Sequence, residues 1–250
     1  MSVHKFTGKA EGYSKFRPRY PGALLDYLTA SDSLKDGSVI ADVGAGTGIL
    51  TGQLLDRGFT VLAVEPNGDM RRIAERDLGF HPAFRSINGT AENTTLPNGS
   101  VDLVTVAQAF HWFDRDRFQT ECRRILKPGA KVALVWNSRI PTGEIALKLY
   151  EVCSKHCPTF VGFSGGIETM PAVFERFFRD GRYDFHTFPN DERHDIDGFI
   201  GRTLSGSYAP AESDRNYRAF VAELTELFER HQAGGVLTVP AETHSYLGCV

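Results

Sequence analysis

The residues with the clearest chemical potential lie in VIADVGAGTGILT, residues 39–51. A branched apolar run stops at Asp42, and Gly44, Gly46 and Gly48 follow at alternate positions. Glycine takes dihedrals closed to other residues and lets a ligand touch the main chain. A helix starting near Thr47 would aim free N–H groups and a positive dipole end at the same place. The spacing departs from the dinucleotide fingerprint G-x-G-x-x-G, because Ile49 holds the sixth place, and from a P-loop, because no lysine follows Gly48. A second signal is Glu65, at the end of FTVLAVE. A carboxylate at a strand tip can accept two hydrogen bonds from a ribose diol, although such an acid can also be merely solvated.

Strand and helix signals alternate from residue 38 to 137, which predicts crossover units and a parallel sheet. SVIADV, FTVLAVE, FRSING, SVDLVTVAQ and AKVALVWN are the five expected strands. Helices are expected in TGILTGQLLDRG, in NGDMRRIAERDLG capped by Asn67, and in DRDRFQTECRRIL capped by Asp114 and stopped by Pro128-Gly129. Loops leaving the carboxyl ends of such strands are where ligands bind, and the glycine loop is one of them.

Beyond residue 138 helices are expected near 143–156 and 171–180, flanking a loop in CPTFVGFSGG, and RYDFHTFPN reads as a strand. In PAESDRNYRAFVAELTELFERHQAGG, Tyr217, Phe220, Val221, Leu224, Leu227 and Phe228 recur at helical spacing. VLTVPAETHSYLGCV is a final extended segment. One domain is expected over residues 1–250, with helices in 138–182 and 195–232 forming a cap over the sheet's C-terminal edge.

Taken in order, VIADVGAGTG, the acid in AVEPNGDM, the turn and Leu-Pro of GTAENTTLP, then SVDLV and RILKPGAKVALV resemble the class I S-adenosylmethionine-dependent methyltransferases. YSKFRPRYP and AQAFHWFD resemble the branch (methyltransferase type 11) that contains trans-aconitate methyltransferase. The resemblance implies a Rossmann-like α/β fold: a mostly parallel seven-stranded sheet with helices on both faces. It implies S-adenosyl-L-methionine as cofactor, a cofactor-binding core at 36–138, and a cap at 138–182 and 195–232 that determines the substrate. Gly44, Ala45, Gly46 and Gly48 would cradle its methionine part, and Asp42 would brace the loop or meet the amino group. Glu65 would hold the ribose, Pro66 and Met70 the adenine face, and Thr90, Ala91 and Glu92 the adenine edge. Relatives often carry an acid where Thr90 stands. Gln108 would lie near the sulfonium. Arg17 is a candidate partner for the cofactor carboxylate, because a guanidinium binds it as a fork; the alternative is an arginine on a solvated helix.

Methyl transfer is an in-line displacement, so the chief demands are alignment and exclusion of water. His111 is the candidate general base if the acceptor needs one; otherwise it and Trp112 shape the pocket wall. Tyr13, Tyr20, Trp136, Arg139 and Tyr208 are further wall candidates, and Arg17 and Arg139 could meet acceptor carboxylates. The expected function is methylation of a small-molecule acceptor, a carboxylic acid or other metabolite; the alternative is a non-catalytic S-adenosylmethionine-binding or regulatory protein. The formal net charge is −3, with 28 basic and 31 acidic residues, so no positive field draws the chain to nucleic acid. No apolar run is long enough for a membrane span, and MSVHKFTGKAEGYSKFRPRYP lacks the apolar core of a secretory signal. Cys122, Cys153, Cys157 and Cys249 fit free thiols in a reducing cytoplasm, and lone histidines such as His81, His186 and His244 show no metal spacing. A monomer or homodimer is expected.

Overall fold

Each of the five strands expected between residues 38 and 137 forms in the computed structural model, which describes residues 10–30, 34–140, 143–163 and 171–250. The start of the stretch read for a secretory signal and the end of the CPTFVGFSGG loop lie outside the described residues. Two helices come first, α1 (Ala10–Phe16) and α2 (Gly22–Thr29). β1 (Val39–Val43), α3 (Ile49–Leu55), β2 (Thr60–Val64), α4 (Gly68–Leu78), β3 (Phe84–Ile87), β4 (Val101–Ala107), α5 (Arg115–Ile125) and β5 (Leu126–Arg139) then alternate. The caps act as expected. Asn67 accepts from the N–H groups of Asp69 and Met70 at 3.0 and 3.1 Å, and Asp114 from that of Arg117 at 3.2 Å.

The seven-stranded sheet completes itself with the C-terminal half of the chain. α6 (Glu144–His156) and α7 (Pro171–Phe177) lead to β6 (Asp184–Pro189), β7 (Glu192–His194), α8 (Ile196–Leu204), α9 (Tyr217–His231), β8 (Leu237–Val239) and β9 (Ala241–Gly248). The strand order is β3-β2-β1-β4-β5-β9-β6, with β9 antiparallel to both neighbours and the pairs from β3 to β5 parallel. This is the Rossmann-like α/β sheet of the sequence reading. β1 pairs with β2 on one side and β4 on the other, so the loops after β1 and β4 leave at the switch in strand order and open a crevice.

Boundaries differ in places. The last extended segment divides at Pro240: β8 pairs with β7 as a separate ribbon, and β9 enters the main sheet. A proline has no N–H for a ladder, which makes it a natural break. β5 starts directly at Leu126, and its pairing with β4 shifts register between Val101 and Leu103, alongside Pro128 and Gly129. α9 begins only at Tyr217, because Asp214 closes a turn onto the N–H of Ala211.

Apolar clusters lie on both faces of the sheet. One face packs Phe110, Phe118, Trp136, Phe174 and Tyr246; the other packs Leu24, Leu28, Ile40, Leu54 and Val61. A third cluster joins α6, α8, α9 and the β8 strand through Leu149, Phe199, Phe220, Leu224 and Leu237. Among the described residues no helix is long and apolar enough to cross a membrane.

Candidate functional site

Three glycines in the loop after β1 take left-handed dihedrals, with φ of 72° at Gly44, 58° at Gly46 and 83° at Gly48. Packing separates their roles. A Cβ at Gly44 would lie 2.6 Å from the Cβ of Ala109, and one at Gly48 would lie 2.7 Å from Cδ1 of Leu78. A Cβ at Gly46 would meet nothing within 4 Å. Two glycines are therefore required by the protein's own close contacts, and Gly46 faces open space where a ligand can approach. The expected cradle of free N–H groups is narrower than the sequence suggests. Gly44 and Ala45 donate to the carbonyl of Val64 at 2.8 and 3.1 Å, and Gly48 to that of Ala45 at 2.9 Å. The loop's Thr47 is buried, and its Oγ1 has no hydrogen-bond partner.

Glu65 sits against this opening. Its Oε2 accepts from the Gly46 N–H at 2.9 Å and its Oε1 from the Asn67 N–H at 2.8 Å. Burial pushes its carboxyl pKa up, against the pull of those two N–H groups and the charge of Arg71. Each oxygen keeps a further lone pair for an incoming hydroxyl. Pro66 follows, and Met70 is buried with Ile73 beneath Ala10 and Tyr13 of α1.

Asp42 is 1% exposed and points between β1, α3 and β4. Its Oδ2 accepts from Oγ1 of Thr51 at 2.6 Å and its Oδ1 from Oγ1 of Thr105 at 3.0 Å. Burial raises its carboxyl pKa to about 6 despite those bonds. The side chain ties the glycine loop to two neighbouring elements, which is the bracing alternative of the sequence reading.

Thr90 and Asn93 close the polar turn by exchanging backbone hydrogen bonds at 3.0 and 3.2 Å, and Ala91 is buried. Glu92 accepts through Oε1 from the Asp114 N–H at 2.9 Å, joining that turn to the start of α5. Gln108, just past β4, has φ of 57°, a left-handed backbone that costs a non-glycine residue about 1 kcal/mol or more. Its N–H donates to Val135 and its Nε2 to the carbonyl of Asn137, each at 2.9 Å, so β5 over-determines that posture. The following 3-10 turn, Phe110–Trp112, presents His111 half-buried with its ring centroid 4.6 Å from that of Trp112.

The remaining wall candidates separate into two groups. Trp136 is fully buried among Phe110, Phe174 and Tyr246, in the core and away from any open surface. This corrects the reading of Trp136 as a wall residue. Its strand alternates faces, and its neighbour Asn137 turns to the other side, toward the carbonyls of Pro18 and Arg19. Tyr13, Arg17, Tyr20, Arg139 and Tyr208, by contrast, are brought together at this end of the sheet. Arg17 donates from Nη2 to the Ser205 carbonyl at 3.2 Å, and its guanidinium lies 4.5 Å from the centroid of the Tyr13 ring. Burial lowers its pKa, and the neighbouring Arg202 adds to that. Burial pushes the Tyr208 hydroxyl up to about 12.

Two residues the sequence reading missed belong to this group. Arg202 of α8 donates from Nε and Nη2 to both oxygens of Glu192 in β7, each at 3.1 Å. Burial pushes the Glu192 carboxyl up, but Arg202, His194 and Arg139 outweigh it and hold it well below the usual carboxylate range. Arg139 reaches Glu192 at 4.0 Å and stacks 4.7 Å from the Phe163 centroid. The signal for α8 was present, with Asp195 as a cap and Ile196, Phe199, Ile200 and Thr203 at helical spacing. Nothing local marked Glu192. Among the described residues no group of three or more His, Cys, Asp or Glu side chains is placed to hold a metal ion.

Residues 41–134 match the family described as the methyltransferase domain. An uncharacterized methyltransferase of Schizosaccharomyces pombe is 33% identical over 190 residues, covering 71% of this chain and 74% of that protein. The chain belongs to the methyltransferase family. A methyltransferase of the same description from Mycobacterium tuberculosis is 41% identical over 133 residues, 53% of this chain and 52% of that protein. The chain thus spans about half the length of the curated mycobacterial methyltransferases it matches. A solved structure of a candidate type II methyltransferase from Anaeromyxobacter dehalogenans superposes with a TM-score of 0.65 at 27% identity, over 93% of this chain and 96% of that one. The family places its methyltransferase segment on the strands and loops that carry Asp42, Glu65 and Gln108.

Proposed function

We propose that the protein transfers a methyl group from S-adenosyl-L-methionine to a small-molecule acceptor. The observation that carries the reading is the pairing of Glu65 with the open glycine. Its carboxylate is fixed by the Gly46 and Asn67 N–H groups beside the loop position where no protein atom comes within 4 Å of a Cβ. This arrangement suits a ribose diol at Glu65 and an amino-acid tail passing over Gly46, while Ile49 and the absent P-loop lysine disfavour phosphate. Thr47 would offer its unpartnered hydroxyl to the tail. Arg17 would take the tail's carboxylate, and Pro66, Met70, Thr90, Ala91 and Glu92 would enclose the base. Asp42 would hold the loop in shape from behind.

The donor supplies an electrophilic methyl group on a sulfonium, which leaves as a neutral thioether. The chain's part is alignment and exclusion of water. Gln108, locked in a left-handed posture by β5, would set the edge along which the acceptor approaches. His111 would accept a proton from an acceptor that carries one on its nucleophilic atom, or else form the wall with Trp112. Tyr13, Tyr20, Arg139 and Tyr208 would face the acceptor from α1, α2's approach, β5 and the segment after α8, with α6 to α9 as a cap.

Isothermal titration with S-adenosylhomocysteine tests the reading. The wild-type chain binds it, whereas Glu65→Ala and Gly46→Val lose binding while keeping a cooperative thermal transition. Undiminished binding in both folded variants would remove the assigned site.

A further inference from the structure

Positive charge near the acceptor side of the crevice exceeds the negative charge placed to meet it. Arg17, Arg139 and Arg202 converge there, and each influences the electrostatics of the group. The side chains of Arg139 and Arg202 are 7% and 6% exposed, and that of Glu192 is 2% exposed. Among the described residues Glu192 is the one carboxylate that pairs with them. Arg17 has a neutral carbonyl, that of Ser205, as its hydrogen-bond acceptor. The Nε atoms of Arg17 and Arg139 are buried with no hydrogen-bond partner. The rings of Tyr13 and Phe163 cover two guanidinium faces, at 4.5 and 4.7 Å, but a ring face does not satisfy an in-plane N–H. Buried charge of one sign is costly unless an anion repays it.

Three guanidiniums against one carboxylate leave two positive charges unmet. We propose that the cluster is an anion-binding site in which Arg139 and Arg202 hold a single carboxylate of the methyl acceptor, and that Glu192 sets the number of negative charges the acceptor carries. The inference rests on the donor reading above, in which Arg17 answers the carboxylate of the methyl donor. One positive charge then remains for the acceptor. A singly charged acid matches it, a doubly charged phosphate overshoots it, and a neutral alcohol or amine leaves it bare. The rest of the acceptor meets aromatic surface. Phe163 lies against Arg139, Phe160 stands 5.1 Å from Phe163, and Tyr208 is 4.8 Å from Phe160 between ring centroids. An acid on an apolar or aromatic body fits these walls.

The test uses the full chain saturated with S-adenosylhomocysteine and three probes that share one ring: phenylacetate, its neutral amide phenylacetamide, and phenyl phosphate. Titration calorimetry is expected to show phenylacetate binding about tenfold or more tighter than phenylacetamide, the size expected for hydrogen bonds to a charged group. Phenyl phosphate is expected to bind more weakly than phenylacetate. Arg139→Gln weakens phenylacetate by about tenfold while leaving S-adenosylhomocysteine within about threefold. Glu192→Gln reverses the order of phenylacetate and phenyl phosphate. If Glu192→Gln fails to fold, the Arg139→Gln arm decides alone. Equal affinity for acid and amide, binding of neither, or unchanged affinity in folded Arg139→Gln overturns the proposal. Wild-type protein that does not bind S-adenosylhomocysteine overturns the donor reading instead, so the two failures are distinguishable.

Discussion

Asp42 is a carboxylate that the folded chain holds at a cost, and the cost has a pH signature. Its pKa rises from 3.8 to about 6, because burial between β1, α3 and β4 outweighs the bonds from Thr51 and Thr105. Between those two values the folded protein retains a proton that the unfolded chain has released. Stability attributable to this group is therefore highest below pH 3.8, falls as pH rises toward 6, and stays at its lower level above. That rise corresponds to about 3 kcal/mol. Asp42→Asn removes the titration and keeps the shape. The Thr51 and Thr105 hydroxyls can rotate to suit an amide, so the substitution adds an offset that does not vary with pH. Urea unfolding followed by circular dichroism, on both proteins at half-unit steps from pH 4 to 8, isolates the effect as a difference. Contributions from other acids, such as Glu121 and Glu192, cancel in that difference. The variant is expected to gain about 3 kcal/mol relative to wild type as pH rises through the window, then to hold a constant lead. A difference that is flat, or that shrinks as pH rises, would refute the account of Asp42 as a charge held against desolvation.

Gly46→Ala is expected to lower stability by about 1 kcal/mol, the cost of its positive φ, yet to weaken S-adenosylhomocysteine by about tenfold or more, read by thermal melts and calorimetry. Gly48→Ala, whose Cβ would collide with Leu78 and press on Ala74, is expected to cost about 3 kcal/mol in the same melts. Glu121→Ala strands the N–H and hydroxyl of Thr94, while Arg124 keeps the Leu96 carbonyl and Asn98, and is expected to cost about 2 kcal/mol by urea unfolding. Burial raises the Glu121 pKa, but Arg124 and Thr94 outweigh it, so its stabilisation is lost as pH falls below 4.5, opposite in sign to Asp42. Trp136→Ala is expected to cost about 4 kcal/mol and, in the fraction that folds, to leave phenylacetate affinity unchanged, because Trp136 is core.

The five parallel-sheet strands were legible because each is a short branched apolar run between turn signals. Asn67 and Asp114 marked helix starts in the same local way. What failed was whatever depends on chain brought from far away. Gly44 and Gly48 are glycine because Phe113, Ala109, Leu78 and Ala74 crowd them, and no spacing rule within the loop separates them from Gly46. The strand that carries Trp136 runs to the crevice, which in sequence suggests a wall residue. Which face of β5 it occupies depends on α7 and β9, whose Phe174 and Tyr246 enclose it. The division of the last segment at Pro240 likewise depends on β7 being available to pair with β8.

The same distinction explains why the Gly46–Glu65 pairing lies close in sequence and the arginine cluster does not. Gly46, Glu65 and Asn67 fall within one strand-helix-strand unit, so the hydrogen bonds that join them span at most 19 residues. The acceptor side joins α1, the end of β5, β7 and α8. Its central contact, Glu192 with Arg202, requires the β7–β8 ribbon to set the register of Glu192 opposite Val239 and α8 to turn Arg202 inward. In sequence these are one acid and one arginine among many. Only after folding do they leave three guanidiniums facing one carboxylate, so the surplus charge proposed to select the acceptor is a property of the tertiary assembly rather than of any motif. A chain can therefore keep the Gly46–Glu65 unit while a change at Glu192 alone alters the charge that the proposed acceptor site presents.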